Sequence, residues 1–344
     1  MREALLYESI GQERVRCNIC GWRCEINPGK TGVCRMYENR SGVLYNLNYG
    51  VPSSIAVDPI EKKPLNHFYP GSKVFSMGSW GCNFSCADCQ NWQISVVNDS
   101  SPLDLAQRVP PEEAIRLAEA YGAQGIAWTY NEPTVWFEYT LDSAKLAKEK
   151  GLYTVYVTNG FITTEALDLI GPYLDAWRVD IKGFNDEFYK KWCGIKNWRS
   201  ILFNAERAMK KWGMHVEVVT NIVPGMNDDD VQLKGIAEWI KAEMGELVPW
   251  HVTRFHPYEI MREVGATPIA TLERAVNIGK NAGLKFVYIG NVPGGKHENT
   301  FCYNCGKLAI SRYGYGIEIK GLKQGNCSYC GVDLNIRSKE EDTQ

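Results

Sequence analysis

The stretch GSWGCNFSCADCQNW, residues 78–92, places three cysteines close together on one glycine-flanked segment. Three residues separate Cys82 from Cys86, and two separate Cys86 from Cys89. A structural zinc or iron–sulfur site commonly has four protein ligands, so this set is one ligand short. A four-iron cluster held by three thiolates leaves one iron open, and an open metal position is typical of catalytic sites. The spacing favours such a cluster; the alternative is a structural zinc site completed by a distant His or Cys.

Around this stretch, short apolar segments alternate with helical patterns from about residue 73 to 290. For example, residues 111–122 begin with proline and two acids and end at glycine, which indicates a helix. The pattern predicts strands at 73–79, 125–130, 152–158, 176–182, 215–223, 249–256 and 284–290. It predicts helices between them, among them 133–151 and 227–245. This strict alternation implies right-handed crossovers and a parallel sheet, and therefore a barrel-like α/β fold.

Polar residues stand at nearly every predicted strand end. In barrels of this type the chemistry gathers at the carboxyl ends of the strands, so we read these ends as one surface. Ordinary turn and capping chemistry explains any one of them equally well. Taken with the three-cysteine loop, the set favours an active site; its members are Asn131, Glu132, Asn159, Asp180, Lys182, Asn221, Arg254 and His256.

The totals exclude little by themselves. The 344 residues include 38 Lys and Arg and 40 Asp and Glu, for a net charge of −2, so there is no global argument for nucleic acid or a membrane surface. Charges interrupt every apolar run of the first sixteen residues, which predicts neither a secretory signal nor a membrane span. We therefore expect a cytoplasmic protein, in which closely spaced cysteines bind metal rather than form disulfides.

The other nine cysteines form two sets of four and one remainder. CYNC and CSYC supply Cys302, Cys305, Cys327 and Cys330, a ribbon that suits structural zinc, with a rubredoxin-like iron site as the alternative. Cys17, Cys20, Cys24 and Cys34 suit either zinc or an auxiliary iron–sulfur cluster, and both remain open. Cys193 is interpreted as a lone thiol. The predicted domains are a Cys-rich segment at 1–70, a barrel at 71–291, a ribbon at 292–338 and a disordered acidic tail at 339–344.

The spacing C-x3-C-x2-C after the first barrel strand resembles that of the radical S-adenosylmethionine (radical SAM) superfamily. The segments DPIEKKPLNHFYPGS (58–72), TYNEPT (129–134), VTNGF (157–161), VDIKGF (179–184), IVPGMND (222–228) and VYIGNVPG (287–294) are similar to pyruvate formate-lyase activating enzymes. The likeness is closest to the branch called the AmmeMemoRadiSam system radical SAM enzyme. This resemblance implies a partial (β/α)6-type barrel, a [4Fe-4S] cluster and S-adenosylmethionine. It also implies a 5′-deoxyadenosyl radical that abstracts a substrate hydrogen.

The resemblance also implies roles for particular residues. Cys82, Cys86 and Cys89 would ligate the cluster. Asn131 and Glu132 stand where the family has Gly-Gly-Glu, which supports the methionine amino group, and Asn159 would contact the ribose or methionine. Asp180 and Lys182 match the Asp-x-Lys of the activating enzymes, and alternate residues of a strand face one side. His256 matches a histidine-bearing strand end, with its role open.

Asp88 departs from the family pattern, which has an aromatic residue just before the third cysteine. A carboxylate offers no stacking face, but it can accept a hydrogen bond from adenine, ribose or a backbone amide. Trp92 either supplies the missing aromatic plane or packs under the loop. We predict that Asp88→Tyr keeps cluster binding and changes the affinity for S-adenosylmethionine.

The resemblance leaves the hydrogen donor open. It is a glycine of a partner glycyl-radical protein, a small molecule or another protein side chain. The expected partners are an electron donor such as ferredoxin or flavodoxin, a protein substrate, and Memo-like or AMMECR-type proteins; neither a membrane nor nucleic acid is expected. Two other functions stay open: an electron carrier with up to three metal centres, and an RNA-modifying enzyme that uses basic residues of the ribbon (Lys307, Arg312, Lys320 and Lys323).

Overall fold

The structure is a computed structural model that describes residues 1–98, 107–257, 261–292 and 294–338. The chain divides into two compact units. The first comprises residues 1–58, 73–177 and 192–214, and the second comprises residues 59–72, 178–191 and 215–344. The predicted disordered tail at 339–344 lies outside the described residues.

The first unit begins with six short strands in two antiparallel sheets. Sequence inspection found only weak periodicity here, because strands of two to four residues are too short to show an alternating pattern. The strand orders are β1-β6-β5 and β2-β3-β4. The strands are β1 (Arg2–Glu3), β2 (Tyr7–Ser9), β3 (Val15–Cys17), β4 (Glu25–Ile26), β5 (Tyr37–Arg40) and β6 (Val43–Asn46).

The rest of the first unit is built from parallel strands and the helices that follow them. β8 (Lys73–Gly78), β9 (Gly125–Trp128) and β10 (Tyr153–Thr158) pair in parallel, and β7 (Ser54–Pro59) lies next to β8. The strand interiors are buried and apolar, as expected for a parallel sheet covered by helices. The helices are α1 (Trp92–Ser95), α2 (Pro111–Ala120), α3 (Phe137–Glu149), α4 (Thr164–Ile170) and, after the stretch assigned to the second unit, α6 (Arg199–Lys210).

The second unit repeats the strand–helix pattern. β12 (His215–Ile222), β13 (Trp250–Arg254) and β14 (Val287–Gly290) are parallel, and β11 (Ala176–Asp180), next to β12, has its last three residues in this unit. The helices are α5 (Asp186–Phe188), α7 (Asp230–Trp239) and α8 (Ile269–Asn281). Antiparallel pairs follow: β15 (Thr300–Phe301), β16 (Leu308–Tyr313) and β17 (Gly316–Ile319) in one sheet, and β18 (Leu322–Lys323) with β19 (Asn326–Cys327).

The four-cysteine ribbon shares a hydrophobic core with the last parallel strands of its unit. Phe286 and Tyr288 pack with Ile310, Leu334 and Ile336 in one buried cluster, which also contains Cys302, Ala309 and Cys327. The ribbon is therefore packed into the second unit and does not form a separate core.

The alternation predicted from residue 73 to 290 is confirmed, with small shifts at the ends of elements. The predicted helix at 133–151 begins as a 3₁₀ turn at Pro133–Trp136, and the α-helix proper starts at Phe137. The predicted strand at 176–182 ends at Asp180, so Lys182 lies just beyond it. No described helix has the length and apolar character needed to cross a membrane.

Candidate active site and metal centres

The loop after β8 carries Cys82, Cys86 and Cys89, each half-buried. Gly81 starts this loop with a φ of +80°, in the region that glycine adopts most readily. A Cβ at Gly81 would lie 2.6 Å from the carbonyl oxygen of Cys34, so a side chain cannot be placed there without displacing backbone. The glycine that precedes the first cysteine is thus required both by its conformation and by its neighbour.

The far side of the loop is held by the segment around Trp192. The amide of Ser85 donates to the carbonyl of Cys193, and the amide of Ala87 donates to that of Trp192, both at 3.3 Å. The indole Nε1 of Trp192 donates to Oδ1 of Asp88 at 3.0 Å. Asp88 therefore anchors the loop, a role that sequence reasoning missed because Trp192 is 104 residues away. The predicted contact of Asp88 with the cofactor stays a prediction.

The start of the loop is braced by Asn131, just after β9. Its Oδ1 accepts from the amide of Ser79 at 3.0 Å, and its Nδ2 donates to Oγ of Ser79 at 2.9 Å and to the carbonyl of Gly81 at 2.6 Å. The side chain of Asn131 thus positions the cysteine loop, which leaves its backbone for the predicted support of a methionine amino group.

Glu132 is buried and ties the ends of β9 and β10 together. Its carboxylate accepts from the amide of Thr134 at 2.9 Å, from Oγ1 of Thr158 at 2.8 Å and from the amide of Asn159 at 2.8 Å. Burial raises the pKa of Glu132, whereas these hydrogen-bond donors oppose the rise by stabilising the carboxylate. The acid is therefore part of a fixed polar network beside the loop.

A second amide, Asn83, connects this network to the first cysteine and was not recognised in the sequence. Its Oδ1 accepts from Nδ2 of Asn159 at 2.8 Å and lies 3.9 Å from Sγ of Cys82. Its carbonyl accepts from Nε1 of Trp22 at 2.7 Å, and its Nδ2 donates to the carbonyl of Phe161 at 3.3 Å. Its position directly after Cys82 could have suggested a role, but the loop was searched only for metal ligands.

The predicted pair at the end of β11 lies in the second unit, where the two side chains come together. Nζ of Lys182 lies 3.5 Å from one carboxylate oxygen of Asp180. The guanidinium of Arg178, two residues before Asp180 on the strand, donates to the other oxygen at 2.7 Å. Asp180 and Lys182 therefore lie side by side, and Arg178 joins them. Their predicted role toward the cofactor stays a prediction.

His256 is exposed and lies two residues beyond β13 in the second unit. Its Nε2 is 3.3 Å from the carbonyl oxygen of Asn291, whose own side-chain amide donates to the carbonyl of Arg254 at 3.0 Å. The histidine therefore sits where two strand ends meet, and its function stays a prediction.

The C-terminal cysteine set forms a compact group of four sulfur atoms. Its four sulfur atoms all lie within 4.8 Å of one another, and among the described residues this is the one such group of potential metal ligands. Sγ of Cys302 lies 3.6 Å from Sγ of Cys330, and Sγ of Cys305 lies 3.7 Å from Sγ of Cys327. With metal–sulfur bonds of about 2.3 Å, a tetrahedral zinc brings its thiolates to about 3.8 Å from one another. The predicted ribbon ligands are thus brought together at the spacing of a single metal ion.

The N-terminal cysteine set is arranged differently. Cys17, Cys20, Cys24 and Cys34 all line one cavity of the first unit. In the described part of the chain, no three of these sulfur atoms all lie within 4.8 Å of one another.

The three-cysteine loop suits an iron–sulfur cluster by its donor chemistry. Thiolates are the ligands of such clusters, and N–H groups directed at sulfur help to set their redox potential. The amide of Phe84 donates to Sγ of Cys82 at 3.4 Å. Burial raises the pKa of Cys82 well above its ordinary value, so a bound cation would be needed to keep this thiolate charged. No described acid or histidine joins the three thiols as a close ligand group.

Comparison with known proteins identifies the class. The sequence model described as the Radical SAM superfamily matches residues 79–237, which include the loop, Glu132, Asn159, Asp180 and Lys182. An uncharacterised protein of Methanocaldococcus jannaschii is 44% identical over 339 residues, covering 98% of this chain and 99% of the relative. The chain belongs to the radical SAM superfamily.

Two further comparisons bear on the activity and the fold. A pyruvate formate-lyase-activating enzyme of Clostridium pasteurianum is 24% identical over 188 residues, which cover 52% of this chain and 76% of that enzyme. The crystal structure of a radical SAM methyltransferase from Sphaerobacter thermophilus matches with a TM-score of 0.52 and 16% identity, over 70% of this chain and 71% of that one. This second likeness concerns the fold alone, which is the partial α/β barrel of radical SAM proteins.

Proposed function

We propose that this protein uses a [4Fe-4S] cluster on the loop of Cys82, Cys86 and Cys89 to cleave S-adenosylmethionine reductively. When both are bound, the cluster supplies the electron that splits S-adenosylmethionine into methionine and a 5′-deoxyadenosyl radical, which takes a hydrogen atom from the substrate. The observation that carries this proposal is the three-thiol loop, which the chain does not complete with a fourth close ligand among its described residues. We place the reaction in the cytoplasm, where thiols stay reduced.

The residues of the first unit hold and orient this centre. Cys82, Cys86 and Cys89 would each bind one iron, and the amide of Phe84 would support the Cys82 thiolate. Asn131 and Asp88 fix the two ends of the loop, so that the spacing of the thiols is set before the cluster binds. Glu132 and Asn159 form the polar wall beside Cys82, the position from which the resemblance predicts contacts with the cofactor.

We further propose that the hydrogen atom comes from a glycine of a partner glycyl-radical protein. The support is the similarity to pyruvate formate-lyase-activating enzymes across the part of the chain that holds the loop. Such a reaction needs a one-electron donor of the ferredoxin or flavodoxin type. Association with Memo-like or AMMECR-type proteins stays a prediction.

The test is anaerobic reconstitution with iron and sulfide, followed by dithionite and S-adenosylmethionine, with 5′-deoxyadenosine measured by chromatography. We expect the wild-type protein to form 5′-deoxyadenosine and Cys86→Ala to form none above background. Ser85→Ala is the matched control, since it changes the neighbouring exposed residue of the same loop without removing a thiol. Equal yields from wild type and Cys86→Ala would refute the proposed function.

A further inference from the structure

The N-terminal cysteines have no role in the reaction described above, yet all four face one cavity. Cys17 ends strand β3, and Cys20, Cys24 and Cys34 follow it within the first 34 residues. The rest of the lining is largely apolar and includes Ile19, Trp22 and Val33. The cavity wall therefore offers four cysteine ligands among largely apolar neighbours.

The spacing of these sulfur atoms differs from that of a single metal ion. The C-terminal set of the same chain has closed to sulfur–sulfur distances of 3.6 and 3.7 Å, as tetrahedral zinc requires. Among the described residues, no group of three or more N-terminal sulfurs meets even a limit of 4.8 Å. In a four-iron cluster each thiolate binds a different iron, so the four sulfur atoms stand farther apart, around a core of irons and sulfides. The three loop thiols, Cys82, Cys86 and Cys89, also fail the 4.8 Å limit.

We propose that Cys17, Cys20, Cys24 and Cys34 bind a second [4Fe-4S] cluster, which passes electrons to the cluster of the loop. With four protein ligands this cluster has no open iron, so its chemistry is electron transfer. The relay rests on the proposed function of the loop, whereas the cluster site itself does not. In each transfer a ferredoxin- or flavodoxin-type donor loses one electron to the N-terminal cluster. That cluster then loses the electron to the loop cluster, from which it enters the sulfur–carbon bond of S-adenosylmethionine.

Contacts within the first unit support the relay, because Asn83 touches both Cys82 and the segment that carries the N-terminal cysteines. The side-chain Oδ1 of Asn83 lies 3.9 Å from Sγ of Cys82. Trp22, between Cys20 and Cys24 in sequence, donates its indole N–H to the carbonyl of Asn83 at 2.7 Å. One buried residue therefore links Cys82 of the loop to Trp22 of the N-terminal segment.

A backbone contact brings the two sets together at a second point. The carbonyl of Cys34 lies so close to Gly81 that any Cβ there would approach it to 2.6 Å. Gly81 directly precedes Cys82, the first ligand of the loop. Cys34 and Cys82 thus approach each other through adjoining backbone, independently of Asn83.

Metal analysis of the full chain, purified and reconstituted without oxygen, tests the site. The decisive variant replaces Cys82, Cys86 and Cys89 together with alanine, because it leaves the N-terminal set intact. We expect this variant to keep about four irons and about four sulfides per chain, half of the wild-type content, with the C-terminal metal unchanged. The double variant Cys20→Ala/Cys24→Ala should lose the N-terminal cluster and keep the irons and sulfides of the loop cluster. Fewer than about two irons and two sulfides in the loop variant, or a second zinc in their place, would overturn the cluster site.

Electron paramagnetic resonance of the dithionite-reduced protein tests the proximity of the two clusters. We expect the wild-type spectrum to show broadening or splitting from spin coupling, and each variant to show the spectrum of one isolated cluster. A wild-type spectrum equal to the sum of the two variant spectra would overturn the relay. Formation of 5′-deoxyadenosine by the wild type reports on the loop cluster separately. If it is absent while the loop variant keeps its irons, the proposed function fails and the second cluster stands.

Discussion

The two sets of four cysteines begin from similar sequence and reach different geometry. The C-terminal ribbon has two knuckles, Cys302–Gly306 and Cys327–Gly331, each with the pattern C-x2-C-G. In both, the amide of the glycine donates back to the carbonyl of the first cysteine, at 2.9 and 2.8 Å. Residues 17–21 have the same pattern, but they form part of a cavity wall.

The glycines explain the difference. Gly306 and Gly331 have φ values of +72° and +75°, and no atom lies within 4 Å of a Cβ built on either. They let the chain turn tightly after the second cysteine of each knuckle. Gly21 does not have a positive φ, and a Cβ there would lie 2.5 Å from the ring of Phe161. Its small size is needed for packing, so the same five-residue pattern serves a local turn in one region and a tertiary contact in the other.

The largest effect should come from removing a buried ligand of the ribbon. Cys327→Ser should release the C-terminal metal and loosen the core shared with Phe286 and Tyr288, because metal binding to such sites contributes about 10–16 kcal/mol to folding in small zinc domains. Hydrogen exchange across residues 300–336 should rise sharply, with one fewer metal ion per chain. Ser328→Ala, at the next position, is the control and should leave both readouts unchanged. Retained metal with unchanged exchange would show that the ribbon is held by its apolar core alone.

Glycine-to-alanine replacements should separate the two uses of the C-x2-C-G pattern. Gly21→Ala should lower the free energy of unfolding by about 1–3 kcal/mol, because the new methyl group collides with Phe161. Gly306→Ala should cost about 1–2 kcal/mol through left-handed backbone strain. Urea denaturation measures both.

A second replacement tests the assigned cause. Phe161→Leu in the background of Gly21→Ala should recover part of the loss, since it removes the colliding ring. The ribbon offers no such rescue, because no atom crowds the Cβ position of Gly306. If the double variant loses the sum of the free energies of unfolding that the two single variants lose, the packing explanation is wrong.

A smaller effect should appear as acid sensitivity near the ribbon. The ring of His67 is buried, with Nδ1 2.9 Å from the carbonyl of Leu334 and Nε2 2.6 Å from the hydroxyl of Tyr288. Burial lowers the pKa of His67 to about 3, so the ring stays neutral in the folded protein. The unfolded chain binds this proton below about pH 6.5, so stability is lost as the pH falls from 6.5 toward 3.

At pH 5 this difference amounts to about 2 kcal/mol. His67→Asn cannot bind the proton, so its free energy of unfolding should fall less than that of the wild type between pH 7 and pH 5. Urea denaturation at both pH values provides the comparison. Parallel losses in the two proteins would show that other groups account for the acid sensitivity.

Much of the fold was predictable because each strand–helix step leaves a local pattern. The barrel strands from Lys73 to Gly290 were found within a few residues, and the positions of Glu132, Asn159 and Asp180 at strand ends followed from them. The partners of these residues were not predictable. Asp88 is anchored by Trp192, and Trp22 donates to Asn83, over separations along the chain that no local pattern records.

The sequence by itself indicated the candidate ligands: three thiols in one loop, and two sets of four cysteines around it. It also determined which family the loop resembles, because the spacing C-x3-C-x2-C is a local property of the chain. Only the tertiary structure decided what each set of four can hold. The chain turns freely at Gly306, where no atom crowds the Cβ position, whereas Gly21 packs against the ring of Phe161. That choice is made by packing between residues distant in sequence, which the spacing of cysteines does not encode.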